Sequence, residues 1–216
     1  ETGLLAGLVA YWALEEASGQ VRLDSHVHGL HLTDVNNVEQ VAGKRGHGGL
    51  FTYVETDRWL ETDSPLLSVA GDFSLSLWAY RQTEEFDTSV MFARAGALSL
   101  HLHNFSSFGL RLVMGAEGEP VLTLAGATPL ALNAWTHVGL VRSGLTVTLF
   151  ENGAVAATGT MTGPVGAGWK TLIGACEFGY GFAGRLDEVG FWSRALTGGE
   201  IGVLYNNGGG IGYADF

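Results

Sequence analysis

Thr146-Val147-Thr148-Leu149-Phe150-Glu151-Asn152-Gly153-Ala154-Val155-Ala156-Ala157-Thr158-Gly159-Thr160 carries the clearest fold signal in the chain. Two runs suited to extended backbone, Thr146–Glu151 and Val155–Thr160, flank Asn152-Gly153. Asn-Gly is the favoured dipeptide of a two-residue hairpin turn, because both positions tolerate the positive φ that such a turn demands. The stretch therefore reads as an antiparallel hairpin, and the rest of the chain repeats its grammar.

Working outward, further short runs with two-residue alternation lie between Gly, Asn, Asp and Pro clusters. They are Leu8–Leu14, Leu50–Val54, Phe73–Tyr80, Val90–Arg94, Leu98–His103, Leu110–Met114, Val121–Leu124, Thr136–Val141, Lys170–Ile173 and Phe182–Trp192. Many short strands broken at such spacing predict a sandwich or barrel. One helix is expected near the end. Thr197-Gly198-Gly199-Glu200 fits a capping box, Ile201, Leu204 and Tyr205 follow at helical spacing, and Asn207-Gly208 can stop the helix in a left-handed turn. No composition shift divides the chain, so residues 4–207 read as one domain and residues 208–216 as a glycine-rich tail. Glu1-Thr2-Gly3 resembles the remnant of a secretion-vector leader and is left out of the fold reading.

Composition limits the function. Of 216 residues, 33 are glycine, about twice the usual ~7% share. Lys and Arg total 11 against 22 Asp and Glu, a net charge of −11. Nucleic acid and anionic membrane surfaces need a basic face, so that balance argues against both as partners. No apolar run reaches the ~18 residues of a membrane span, so membrane insertion is not expected. With 46% hydrophobic residues the chain is too apolar for disorder. The single Cys176 cannot form an internal disulfide and reads as a small buried apolar residue.

Several segments, in order along the chain, resemble the laminin-G-like, concanavalin-A-like jelly-roll family, especially its bacterial and phage branch. Leu8-Val9-Ala10-Tyr11-Trp12-Ala13-Leu14-Glu15-Glu16 resembles its opening strand, and Asp24-Ser25 the start of its Asp-Ser-rich loop. Gly71-Asp72-Phe73-Ser74-Leu75-Ser76-Leu77-Trp78 is similar to its central strand. Trp135-Thr136-His137-Val138 and Leu149-Phe150-Glu151-Asn152-Gly153 are similar to its paired hairpin strands. Gly184-Arg185-Leu186-Asp187-Glu188-Val189, Ser193-Arg194-Ala195-Leu196 and Leu204-Tyr205-Asn206 resemble its closing strand and helix. The resemblance implies an all-β, two-sheet antiparallel jelly-roll β-sandwich with one short C-terminal helix. It also implies a structural calcium ion held by Asp24 and Asp187 with backbone carbonyls near His28 and Gly29. The loop here reads Asp24-Ser25-His26-Val27-His28-Gly29-Leu30-His31, where the family loop is rich in Gly and Asn. In the bland alternative Asp24 shapes a turn and Asp187 meets Arg185 or an open backbone amide.

Three chemistries compete for the remaining residues. His26, His28 and His31 invite a transition-metal reading but lack a zinc spacing, so a packed or solvated loop is expected. His137 reads as a hydrogen-bonded structural residue. Glu55, Asp57 and Glu61 share even spacing, which a glycoside hydrolase would need for paired carboxylates. They bracket a turn leading into Trp59-Leu60-Glu61, however, and no catalytic residue is assigned. Aromatic ligand binding is the stronger expectation, because sugar rings present apolar faces to Trp and Tyr. Its candidates are Trp78 and Tyr80 on the half-polar face of Phe73–Tyr80, and Trp59, Trp169, Phe178 and Tyr180 in or beside loops. Asn104-Phe105-Ser106 is a glycosylation sequon, relevant only in a eukaryotic secretory route. The expectation is a non-catalytic extracellular recognition module for a glycan, with calcium in a structural role. The alternative is a structural or adhesion module with a cell-surface protein as ligand; a hydrolase comes third.

Overall fold

A computed structural model describes residues 3–52, 58–83, 89–96, 99–105, 109–116, 119–126 and 128–216. Its strands, in chain order, are β1 (Leu8–Trp12), β2 (Thr33–Val35), β3 (Glu39–Ala42), β4 (His47–Phe51), β5 (Trp59–Thr62), β6 (Phe73–Arg81), β7 (Ser89–Ala95) and β8 (Ser99–Phe105). Then follow β9 (Gly109–Ala116), β10 (Glu119–Ala125), β11 (Trp135–Ser143), β12 (Thr146–Glu151), β13 (Ala154–Thr160), β14 (Lys170–Ile173), β15 (Gly184–Trp192) and the helix α1 (Gly198–Tyr205).

All the ladders are antiparallel and form two sheets. The first runs β13-β12-β11-β6-β15-β4-β3, with β1 added beside β15; the second runs β10-β9-β8-β7-β14-β5-β2. The quoted hairpin forms as expected, with Asn152 at φ 50° and Gly153 at φ 77° between β12 and β13. Between the sheets lies the main core, to which Leu75, Leu77, Val138 and Phe191 contribute from one side and Leu60, Leu112 and Ile173 from the other. Each is fully buried, worth roughly 1.5–3 kcal/mol against exposure.

Some strand ends differ from expectation. β1 stops at Trp12, and Leu14 takes a left-handed φ of 57°. β15 begins at Gly184 rather than at Phe182. β2 and β3 were not anticipated, because their residues are polar and only half-buried at the sheet edges, with no apolar alternation to read.

The outer face of the first sheet is covered by the chain's own end. Thr197 caps α1: its hydroxyl accepts from Glu200 N at 3.2 Å, and Thr197 N donates to Glu200 Oε2 at 2.7 Å. Ile201 and Leu204 pack with Val141, Phe150 and Trp192. Asn206, at φ 47°, turns the chain back, so that Ile211, Tyr213 and Phe216 join this outer cluster. The segment beyond residue 207 is thus packed structure.

Candidate functional site: an aromatic groove on the second sheet

The second sheet's outer face carries a smaller apolar cluster, Val90, Ala93, Ala95, Leu172 and Cys176, with Trp59 packed against it. A bulge between Val90 and Phe92 resets the register of β7 against β8. β14 lies between β5 and β7, pairing Leu172 with Glu61 and Lys170 with Ala95. Because side chains two apart share a face, Trp59 and Glu61 project together from β5, and Lys170 and Leu172 from β14. With Trp169 they line a cavity of about 300 Å³ whose floor includes Ala95, Leu172, Ala175 and Cys176, at the small end of ligand sites.

Polar groups inside this groove are held in a fixed chain. Trp59 Nε1 donates to Glu61 Oε2 at 2.8 Å, and Lys170 Nζ donates to Glu61 Oε1 at 2.9 Å. The same ammonium lies 4.0 Å from Asp63 and 5.3 Å from the centre of the Trp169 ring, a cation–π distance. Burial alone would raise the Glu61 carboxyl, but the hydrogen bonds from Trp59 and Lys170 outweigh it and hold it below its ordinary value. Its hydrogen bond to Glu61 raises Lys170 correspondingly. Both groups are therefore charged at neutral pH. Trp169 is 59% exposed, leaving ring surface open to a ligand.

Arg94, a residue the sequence analysis did not single out, fixes this wall from beneath. It is fully buried on β7. Its Nε donates to Ala167 O at 3.1 Å, one terminal nitrogen to Thr171 Oγ1 at 3.0 Å, and the other to Ser64 O at 2.7 Å and Gly168 O at 3.1 Å. Burial lowers its pKa to about 10, so the guanidinium stays charged at neutral pH. Gly168 stands at φ +72°, and a Cβ there would come 2.5 Å from Arg94 Cγ, so only glycine lets the loop seat on the arginine. Trp169 N then donates to Ala95 O at 2.9 Å, which completes the register of the loop. The available sequence signal was a charge at the end of the apolar run Val90–Arg94.

The expected aromatics divide between the two sheets. Trp59 and Trp169 wall the groove. Phe178 and Tyr180, 47% and 41% exposed, flank Gly179, which also lines it. Their turn is closed by Cys176 N donating to Tyr180 O at 3.0 Å and Gly179 N to Cys176 O at 3.1 Å. Trp78 and Tyr80 lie on the first sheet. Trp78 is only 2% exposed. Lys44 Nζ lies 4.5 Å from its ring centre, Tyr205 stacks at 6.0 Å, and a Cβ on Gly210 would come 3.1 Å from its Nε1. Trp78 is therefore a packing residue, covered because α1 and the following turn cross β6. Tyr80 is half-buried between Arg185, 4.9 Å from its ring centre, and Trp135 at 5.4 Å.

The implied calcium ligands sit on different elements, Asp24 in the loop after β1 and Asp187 within β15. Asp24 Oδ1 accepts from Tyr11 N and His26 N, and its Oδ2 from Leu30 N, all at 2.9 Å. Asp187 Oδ2 accepts from Lys44 N at 2.7 Å and Arg45 N at 3.0 Å, and its Oδ1 from Glu188 N at 2.9 Å. His28 Nδ1 meets Val9 O at 2.9 Å, and Gly29 O accepts from His31 N at 2.9 Å. Among the described residues, no three metal-ligating side chains converge. Backbone amides thus take three of the roughly four lone-pair sites on each carboxylate. That leaves too few oxygens on these residues for the roughly six to eight that calcium takes, so they do not fit the implied site as arranged. Burial raises Asp187 to about 8 and Glu188 to about 7. Tyr11 donates its hydroxyl to Glu188.

The remaining candidates have their own partners. His26 Nδ1 meets the Tyr213 hydroxyl at 3.2 Å, His31 Nδ1 accepts from Asp24 N at 3.0 Å, and His137 Nε2 meets Ser76 Oγ at 2.8 Å. Burial lowers His137 to about 4, leaving it neutral. Glu55 and Asp57, the possible carboxylate partners of Glu61, lie outside the described residues, as does Ser106 of the sequon. A wider depression of about 680 Å³ lies beside Arg45 and Glu188, and Tyr213, its aromatic lining residue, is packed against Tyr11 and Phe216.

A two-sheet antiparallel sandwich with a surface groove is the architecture of jelly-roll lectins and their relatives. The chain belongs to the concanavalin A-like lectin/glucanases superfamily, whose laminin-G-type family model matches residues 54–202. No curated protein sequence matches it. Among solved structures it is similar to the binding domain of Paraclostridial Mosquitocidal Protein 1, with 15% identity, TM-score 0.75, and 93% of this chain and 52% of that one covered. It is also similar to domain 4 of AbnA, an extracellular arabinanase of Geobacillus stearothermophilus solved with arabinotriose. There identity is 19%, TM-score 0.71, and coverage 90% of this chain and 96% of that one. A third is botulinum neurotoxin type C, whose cell entry depends on two ganglioside molecules, with 11% identity, TM-score 0.74, and coverage of 93% and 51%. The chain spans about half the length of the two toxin structures. At these identities the likeness establishes the fold.

Proposed function

We propose that the protein is a non-catalytic, extracellular carbohydrate-binding module that holds a sugar in the groove between Trp59 and Trp169. One observation carries the reading: two indoles wall a cavity that also holds the Glu61–Lys170 pair. That combination meets both needs of a sugar, an apolar surface for the ring's C–H face and charge-assisted partners for its hydroxyls. Binding domains and an arabinanase domain solved with arabinotriose among the similar structures support a binding role over catalysis. The extracellular setting of that arabinanase supports the same location here. No helix of the described residues is long and apolar enough to cross a membrane.

The test is a glycan array followed by titration calorimetry on the wild type, Trp59→Ala and Trp169→Ala. Truncating a central aromatic anchor typically costs 2 kcal/mol or more, so each variant should weaken binding by roughly thirtyfold with the melting midpoint of Trp169→Ala little changed. Undiminished binding in folded Trp169→Ala, or a blank array from folded wild type, would overturn the reading.

A further inference from the structure

We infer that the groove selects uncharged glycans and rejects sialylated, sulfated and uronate-bearing ones; the inference rests on the groove being the sugar site. It follows from how the charges there are already committed. An anionic sugar needs a cation with an unspent charge. Lys170 is the cation in the cavity lining, and its ammonium is 2.9 Å from Glu61 and 4.0 Å from Asp63. Glu177 adds another carboxylate to the lining. Counted together, Glu61, Asp63 and Glu177 outnumber Lys170 by three to one. The nearby Arg94 does not redress this, because it is fully buried beneath the wall and donates to Ser64, Ala167, Gly168 and Thr171. The whole chain, at −11, repels an approaching anion further.

For a neutral sugar the same groups are favourable. A carboxylate offers about four lone-pair sites, and Glu61 spends two on Trp59 and Lys170. The others can accept from ring hydroxyls. Lys170 has three protons and gives one to Glu61, so it can donate to hydroxyl oxygens without leaving its partner. No ion pair must be broken and no like charge approached. The exposed face of Trp169 lies beside this pair, where a ring stacked on the indole would bring its hydroxyls to it.

The experiment is an array in which each neutral glycan stands beside its sialylated, sulfated or uronate counterpart, probed with wild type and Trp169→Ala. Pairs that bind are then titrated at about 10 mM and about 1 M salt, across which the screening length falls from ~30 Å to ~3 Å. The expected result is that neutral members bind at least about tenfold tighter than anionic partners at low salt. The gap should narrow at high salt while the neutral affinity stays nearly constant. Equal or tighter binding of anionic members, lost in Trp169→Ala, would overturn the inference and leave the groove reading standing. Binding of neutral members that survives Trp169→Ala, or no binding at all, would overturn both.

Discussion

The outer faces of the two sheets begin with similar materials and end differently. The first presents Trp78, Tyr80 and His137 from β6 and β11; the second presents Trp59 from β5 and Trp169 from the loop before β14. On the first, α1 and the returning segment bring Tyr205 and Gly210 onto Trp78, leaving it 2% exposed. On the second, Trp169 stays 59% exposed, and its backbone is clamped by Arg94 and Ala95. An aromatic on a strand face becomes core or ligand platform according to what a distant part of the chain lays over it. A platform must also be stiff, and here a buried guanidinium supplies the stiffness.

Truncating one indole on each face should separate the two sheets most strongly. Trp78→Ala removes a sealed side chain and should cost about 3–5 kcal/mol, lowering the melting midpoint by roughly 10 °C for a chain of this size. Trp169→Ala should move the midpoint by only a degree or two and weaken glycan binding by roughly thirtyfold. Equal melting losses would mean that both faces are core.

Arg94→Met comes next in expected size. Breaking its hydrogen bonds should destabilise the fold by about 2–3 kcal/mol. The same change should loosen the Trp169 loop, seen as a red-shifted tryptophan emission together with weakened glycan binding. Arg94→Lys should restore part of the stability and less of the binding, since an ammonium cannot reach carbonyls in a planar fork. Unchanged emission and affinity in folded Arg94→Met would remove it as a positioning residue.

A smaller effect separates the faces by pH. Under the covered face, Asp187 and Glu188 titrate at about 8 and about 7, above their unfolded values of about 4. The folded state therefore holds protons that the unfolded chain has released, so stability falls as pH rises through that window. His137, lowered to about 4, acts oppositely, and its contribution is lost as pH falls from about 6.5. Melting midpoints should decline by a few degrees between about pH 6.5 and about pH 8 and level off above, and Asp187→Asn should flatten the decline. A midpoint that climbs with pH would contradict the raised carboxylates. The Glu61–Lys170 pair, held charged on both sides, should leave glycan affinity flat over the same range.

Calcium is the smallest expected effect. With Asp24 and Asp187 engaged by backbone amides, adding chelator should leave the melting curve unmoved. A midpoint that climbs as calcium passes through millimolar levels would restore both residues as ligands.

Much of the fold was legible because its signals are local. Asn152-Gly153 specifies a turn, Thr197 and Glu200 a helix start, and alternation the long strands. β2 and β3 escaped because polar edge strands carry no alternation. The groove was half legible. Trp59, Trp169, Phe178 and Tyr180 stood out as loop aromatics, but alternation alone cannot tell that Trp78 is roofed by residues more than a hundred positions later. Arg94 and Lys170 were missed because their meaning depends on which strands become neighbours, and that pairing is set by the whole fold.

One face binding while the other is sealed is a difference that the six tryptophan indole N–H signals report directly. In an NMR titration with a glycan selected on the array, the Trp59 and Trp169 signals should shift in proportion to occupancy while that of Trp78 stays fixed. A shift at Trp78 with Trp59 and Trp169 unmoved would place the ligand on the other sheet and rule out the groove as the binding site.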